Sequence, residues 1–382
     1  MEKIYYLDNA ATTKVFQEEF DLIKKNNENY FYNPSASYRP AISAKKLLDE
    51  SRETINKALG AVNGNLIFVS SATEANNTVF EGVHLRAGQT VLISKGEHPS
   101  VYDSAHRLEN KGIVVKEIPL QSDGKVDKEK FEKLLDEKVA LVSIIHVSNE
   151  TGAINDIKQL CELTKKFNSK ILFHSDGVQA FGKIDVNLKN LGVDLYTISA
   201  HKVYAPRGIA GLYIKQGVIV DALLVGGGQE KGFRSSTENL DGAIAFAFAV
   251  KKLLDDKNEN FKKVEKLKSE LIEYLNESKI SNLFNCNSNN DCSPYIVSLS
   301  FDGIKGEVLT NALETFGILV STGSACSSKK AGNRTLEAMG LPNSKTIGSV
   351  RISFSPYMFY DMKYIVESIE KCVYRFASNI KV

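Results

Sequence analysis

Cysteine is scarce in this 382-residue chain: five residues, at 161, 286, 292, 326 and 372, make an odd count and contain no C-x-x-C pair. Neither a disulfide framework nor a thiolate zinc site has support in that spacing, and no metal site is expected. Each thiol is read first as a small buried hydrophobe. Net charge is equally thin, since 48 basic residues face 46 acidic ones and leave +2. So weak a field holds neither nucleic acid nor an anionic membrane, which makes a small-molecule partner the expectation. No apolar run approaches the ~18 residues of a membrane span. The opening MEKIYYLDNAATTK lacks the basic-then-apolar layout of an export signal, so a cytoplasmic location is expected. Internal repeats and the dinucleotide fingerprint G-x-G-x-x-G are missing as well.

What is present is ordinary material for packed cores: 43% hydrophobic and 25% charged residues. The length exceeds what one core usually serves, so two domains are expected. From about residue 64, short apolar runs (NLIFVS, QTVLIS, GIVVKEIPL, ALVSIIHV, KILFHSD, DLYTISAH) alternate with amphipathic helical stretches that include DKEKFEKLLDE and DIKQLCELTKKF. Continuous apolar runs separated by helices describe strands covered on both faces, and hence a mostly parallel sheet. Ligands of such sheets sit at the carboxyl ends of the strands. Thr73, His98, Asn149, Asp176, Ser199, His201 and Lys202 all fall at or just past those ends. Further on, KKLLDDKNENFKKVEKLKSELIEYLNE reads as one long charged helix, and SNLFNCNSNNDCS as a surface loop with Cys286 and Cys292 incidental. The final third mixes strands such as YIVSLSF and GSVRISF with helices, which suits a smaller α+β domain.

Lys202 stands in ISAHKVYAPRGIAGLY, between two apolar runs, where an ammonium is costly unless it is paired or used in chemistry. Asp176 closes the preceding strand. A lysine and an aspartate at neighbouring strand ends suit pyridoxal phosphate: the amine bonds the cofactor aldehyde and the carboxylate keeps the ring nitrogen protonated. A plain salt bridge between the two is an equal reading on spacing alone. FVSSATEANN supplies a small-residue turn with Thr73 opening a helix, so free amides and a hydroxyl converge where an anion would bind. Ser199 and His201 flank the lysine as two further donors.

Nine segments complete the pattern: YLDNAATT, SSATEANN, EHPS, HVSNETG, HSDGVQAFGK, SAHKVYAPRGIAGLY, GGGQEKGFRSSTEN, STGSACSS and GSVRISF. In order and approximate spacing they resemble the pyridoxal-phosphate cysteine desulfurases of the NifS/IscS type, in the class V aminotransferase family. The resemblance runs from residue 5 to about residue 360. It implies an α/β fold-type I pyridoxal 5'-phosphate-dependent transferase, with a large cofactor domain over 13–255. A smaller α+β domain would combine 1–12 with 256–382. It also implies a homodimer, L-cysteine as substrate, L-alanine as product, and a sulfur-acceptor protein, either an iron–sulfur scaffold or a thiolation enzyme.

By the same resemblance Lys202 is the Schiff-base lysine, Asp176 the pyridinium partner, and His98 the imidazole that stacks on the ring and moves protons. Asn149 and Gln179 hydrogen-bond around the ring oxygen and the bound amino acid. Thr73, Ser199 and His201 hold the phosphate, Ala72 is a further cofactor neighbour, and Thr237 reaches the phosphate from the other subunit. Arg351 clamps the substrate carboxylate, a task suited to a bidentate guanidinium. Cys326, in VSTGSACSSKKAGNR, sits in a stretch without apolar periodicity, so a mobile loop is expected to carry this thiol to the substrate sulfur and away as a persulfide. Five positions depart from the pattern: Tyr38, Ser71, Pro99, Ser148 and Ser236. Rival readings are an aminotransferase, or a selenocysteine or cysteine-sulfinate lyase, of the same fold, in which Cys326 is dispensable, and a non-catalytic sulfur-trafficking scaffold.

Overall fold

The computed structural model describes residues 3–323 and 333–377. After a two-residue strand, β1 (Tyr5–Tyr6), come helices α1 (Gln17–Tyr30) and α2 (Arg39–Ala58). The chain then alternates through β2 (Gly64–Val69), α3 (Ala72–Gly82), β3 (Thr90–Ser94), α4 (Pro99–Arg107), β4 (Val114–Ile118) and α5 (Lys128–Leu134). The alternation continues with β5 (Val139–Ser143), α6 (Ile157–Phe167), β6 (Leu172–Asp176), α7 (Leu188–Leu191), β7 (Leu195–Ser199) and β8 (Ala210–Lys215). These strands form one seven-stranded sheet in the order β2-β8-β7-β6-β5-β3-β4. Only β8 runs antiparallel to its neighbours, and the remaining ladders are parallel. The sheet is therefore mostly parallel, as the unbroken apolar runs require.

Alternation along each strand separates two cores. Leu66 and Phe68, Leu92, and Tyr196 and Ile198 face a cluster shared with α2, α5 and α6. That cluster also takes in α8 (Leu240–Asp255). Their neighbours Ile67, Val69, Val91, Ile93 and Leu195 face the other way, onto Val79, Phe80, Val101 and Ala105 of α3 and α4. Helices thus cover both faces of the sheet, and the strand ends are left to loops.

A third core draws on residues from Tyr5 to Ala10 and from Val264 to Val373. Its frame is α9 (Lys257–Glu277), β9 (Phe284–Cys286), β10 (Ile296–Phe301), α10 (Gly306–Glu314), β11 (Ile318–Leu319), α11 (Arg334–Ala338), α12 (Asn343–Ile347), β12 (Ser349–Ser353) and α13 (Met362–Ala377). Strands β12, β10 and β9 make an antiparallel sheet, while β1 pairs in parallel with β11. Leu336 and Met339 nevertheless pack into the first core.

Two expectations are corrected. The charged stretch after residue 250 is two helices, because Asp256 leaves helical geometry (φ −101°, ψ 5°) between α8 and α9. The Asn/Ser tract is not wholly loop either: Phe284–Cys286 pair with β10 as an edge strand, and Cys292 is buried. Asparagine and serine disfavour strands, so the local pattern hid an edge that packing against Phe301 creates. Among the described residues no helix is long and apolar enough to cross a membrane.

Candidate active site

A cavity of about 300 Å³ opens at the carboxyl ends of β2, β6 and β7. It is built from the chain upward as follows. Ser71 caps α3, its Oγ accepting from Glu74 N at 3.1 Å, while Ser70 N donates back to Glu74 Oε2 at 2.8 Å. Arg234 pins the same glutamate at 2.9 Å. Serine at this departure position therefore fixes the turn, and the amides of Ala72 and Thr73, which precede the helix's own bonding, are left at the cavity wall.

Asp176 ends β6 and is 3% exposed. Asn76 Nδ2 donates to its Oδ2 at 2.9 Å and Val178 N to its Oδ1 at 3.0 Å, so the carboxylate is oriented by one donor on each oxygen. Strand β7 ends at Ser199, and a single 3-10 turn over Ala200–Lys202 swings His201 and Lys202 to the same wall. Lys202 Nζ donates to the carbonyls of Ala10 and Ala11, both at 2.6 Å. Burial, then the nearby Arg351 cation, lowers the Lys202 pKa to about 8 even though Asp8 and Asp176 pull it the other way. Burial likewise depresses His201, to about 4, so its ring is neutral and takes Thr12 Oγ1 at 3.2 Å on Nδ1.

His98 stands exposed at the mouth of the cavity, with protein packed on its inner side. Desolvation lowers its pKa, against the opposing pull of Asp176. Its Nδ1 accepts from Ser100 N at 3.2 Å, capping α4, and Pro99 follows at the first helical position, where its missing N–H costs nothing. Asn149 is held by a tight turn in which Ser148 Oγ accepts from the amides of Glu150 and Thr151 at 3.3 and 3.2 Å. Arg351 enters from β12. It is 7% exposed, donates Nη2 to Asp8 at 2.9 Å and Nη1 to the Asn149 carbonyl at 2.8 Å, and its Nε is buried without a partner among the described residues.

The structure brings together Ala72, Thr73, His98, Asn149, Asp176, Gln179, Ser199, His201, Lys202 and Arg351 as lining of one cavity. A plain salt bridge between Asp176 and Lys202 is absent among the described ion pairs; the amine turns to two carbonyls instead. Thr237 is exposed and is not part of that lining. Cys326 lies outside the described residues, although Gly323, three positions before it, lines the cavity. Of the departures, Tyr38 immediately precedes α2 on the surface without a side-chain cap, and Ser236 sits at φ 150°, a conformation that glycine adopts far more readily.

Whether pyridoxal phosphate suits this cavity is testable on one atom. Ser199 Oγ is buried at the wall and has no hydrogen-bond partner among the described residues. A buried orphan hydroxyl is unfavourable unless a ligand completes it. It lies with the free amides of α3 and His201, a donor set for an anion, while Asp176 supplies a carboxylate for a protonated ring nitrogen and Lys202 an amine. The residues fit the cofactor.

Three participants escaped sequence reasoning. Asp8 pairs with Arg351, although YLDNAATT carried it in plain view. Glu150, 2% exposed, accepts from Asn149 Nδ2 at 2.7 Å and from Asn333 Nδ2 at 2.8 Å. Lys183 lies buried beneath the cavity and donates to Gln179 Oε1 at 2.6 Å. The other four cysteines carry no disulfide. Burial raises every one of their thiols, Cys161 to about 12.

The residue pattern of the family described as Aminotransferase class-V matches residues 5–361. A relative named Cysteine desulfurase IscS, from Dictyoglomus turgidum, is 34% identical over 378 residues, 98% of this chain and 95% of its own. A solved structure described as a NifS-like protein superposes with a TM-score of 0.90 at 33% identity, covering 98% of this chain and 100% of its own. Another, described as SspA in complex with cysteine, gives 0.79 at 26% identity over 93% of this chain and 99% of its own.

Proposed function

This chain belongs to the aminotransferase class-V family, whose members use pyridoxal phosphate, and on that premise we propose that it is a cysteine desulfurase. The observation that carries the reading is one cavity lined by a lysine of lowered pKa, a buried carboxylate and a guanidinium, Lys202, Asp176 and Arg351. Relatives named cysteine desulfurase, and a neighbour solved with cysteine, support L-cysteine as the substrate.

When bound, pyridoxal phosphate supplies a sink for the electrons left on a substrate carbon after its proton departs. Ser199, Thr73, His201 and the amides of Ala72 and Thr73 would hold its phosphate, Asp176 its ring nitrogen, and Lys202 its aldehyde carbon. Arg351 binds the substrate carboxylate, its bare Nε being the atom still in need of an acceptor. Lys202 Nζ, once free, takes the α-proton, for which a pKa of about 8 leaves enough neutral amine near pH 7. His98 stays neutral and moves a proton at Nε2, since Nδ1 is engaged by Ser100. Cys326 Sγ, as thiolate, attacks the substrate sulfur: an S–S bond forms, the Cβ–Sγ bond breaks, its electron pair remains on Cβ, which takes a proton, and return of the α-proton to Cα completes L-alanine. The raised thiols of the four other cysteines, none of which lines the cavity, support the reading of Cys326 as the acceptor that the resemblance implies.

The chain acts as a homodimer in this reading, with Thr237 serving the second subunit's phosphate. Exposed Leu223, Leu224 and Val225, tied to the Thr237 loop through Ser235 N to Leu224 O at 2.9 Å, support such a contact. The division into 13–255 and 1–12 plus 256–382 belongs to the same proposal, and the third core described above supports it. The persulfide passes to a sulfur-acceptor protein.

The test is turnover of L-cysteine by purified protein reconstituted with pyridoxal phosphate. Alanine release should be lost in Cys326→Ala and in Lys202→Ala, with visible absorbance lost only in the latter. Alanine formation at an undiminished rate in Cys326→Ala would move the chain to the lyase or aminotransferase reading. A protein that stays colourless after reconstitution would leave only the scaffold reading.

A further inference from the structure

Lys183 is a buried cation that the proposed cycle does not use. It is 6% exposed and lies four residues past Gln179 in a run of turns. Its one polar partner among the described residues is Gln179 Oε1 at 2.6 Å, and no carboxylate pairs with it. The charged groups that bear on it are the cations Lys202 and Arg351, and burial plus those two charges lower its pKa to about 7. An amine kept at such a cost, in a place where methionine would pack, calls for a use.

The use lies in the amide. Gln179 is 4% exposed and lines the cavity. Below its pKa of about 7 the lysine is an ammonium that only donates, so in that state Gln179 Oε1 has to face it. Nε2 is thereby turned to the opposite side, where it donates to the Ala10 carbonyl at 2.9 Å, the same oxygen that takes Lys202 Nζ at 2.6 Å. One hydrogen of Nε2 remains for the cavity. Without Lys183 only the Ala10 carbonyl, an acceptor it shares with Lys202 Nζ, holds the amide, so the orientation that keeps Nε2 toward the cavity is less firmly fixed.

We propose that Lys183 is a positioning residue that locks Gln179 in the orientation offering the bound cofactor's ring oxygen an N–H donor. The inference rests on the cofactor reading above. A donor at that oxygen competes with the proton shared between oxygen and the adjoining Lys202 nitrogen, so that proton leaves at lower pH.

The experiment is a pH titration of the holoenzyme's visible absorbance in Lys183→Met, in Gln179→Leu and in the double variant. Each single change should raise the midpoint by about half to one pH unit, and the double variant should match Gln179→Leu alone. An unchanged midpoint in Lys183→Met overturns the proposal. So does a Lys183→Met shift that persists in full beside Gln179→Leu, because the charge would then act without the amide. If Lys183→Met does not fold, Lys183→Gln, whose amide tolerates either orientation of Gln179, should raise the midpoint, and an unmoved midpoint overturns the proposal equally. A wild-type protein with no visible chromophore would instead sink the cofactor reading.

Discussion

Capture of pyridoxal phosphate by the apoprotein should report the Lys202 amine directly, because Nζ attacks an aldehyde only when neutral. An exposed lysine titrates near 10.5, whereas burial and Arg351 bring Lys202 to about 8. A gap of about 2.5 pH units leaves about 300 times more neutral amine at pH 7 than an exposed lysine has, equivalent to about 3.4 kcal/mol. Two carbonyl acceptors favour the ammonium form, so desolvation outweighs them. The capture rate, followed by stopped-flow absorbance, should climb about tenfold per pH unit below 8 and flatten above it. Lys202→Ala should show no such phase. Arg351→Met should move the midpoint upward, both because a repelling cation is gone and because Asp8, freed from its partner, pulls harder on the ammonium. A rate that keeps rising through pH 10 in the native protein would refute the burial account of this lysine.

Ser199→Ala should weaken pyridoxal phosphate binding about tenfold by equilibrium dialysis, while the apoprotein gains up to about 1 kcal/mol in denaturant unfolding, since a buried orphan hydroxyl is removed. Glu97 should govern stability against pH. Its carboxyl, fully buried with Oε2 lacking a partner, is pushed up to about 8. The folded chain then keeps a proton that the unfolded chain sheds near 4.5, so this group's contribution to stability falls as pH rises from about 4.5 to 8 and levels beyond, while Lys183 and Lys202, lowered to about 7 and 8, act in the opposite sense above those values. Glu97→Gln should flatten that slope, gaining a few kcal/mol at pH 8, while Glu19, also raised to about 8, preserves a residual slope. An unchanged urea midpoint profile would contradict this. Gly323→Ala should cut alanine production and lower stability, because at φ +81° a Cβ would overlap the buried Glu150 carboxylate; a wild-type rate would show that this approach is not needed.

Much of the architecture was legible in sequence because both faces of the sheet are covered. TVLIS and LYTIS are buried at every position, so no polar alternation blurs them, and the strand ends then mark the ligand side. Side chains that line the cavity at those ends stood in short segments next to a strand, as Asp176 and Lys202 do. What stayed hidden depends on contacts between distant segments. Glu150 meets Asn333 across 183 positions and Asp8 meets Arg351 across 343, so no local pattern announces either pair. Lys183 looks like any lysine in HSDGVQAFGK until its burial is known. The break at Asp256 turns on a single residue's backbone angles within an otherwise uninterrupted charged, amphipathic stretch.

The Asp8–Arg351 pair makes the pocket a reporter of the whole fold. One wall of the cavity comes from Ala10 and Ala11 and another from Arg351 on β12, segments far apart in sequence. A nick that lets either segment peel away leaves Lys202 on the large sheet without the guanidinium beside it, so limited proteolysis there should disarm the pocket before the sheet unfolds.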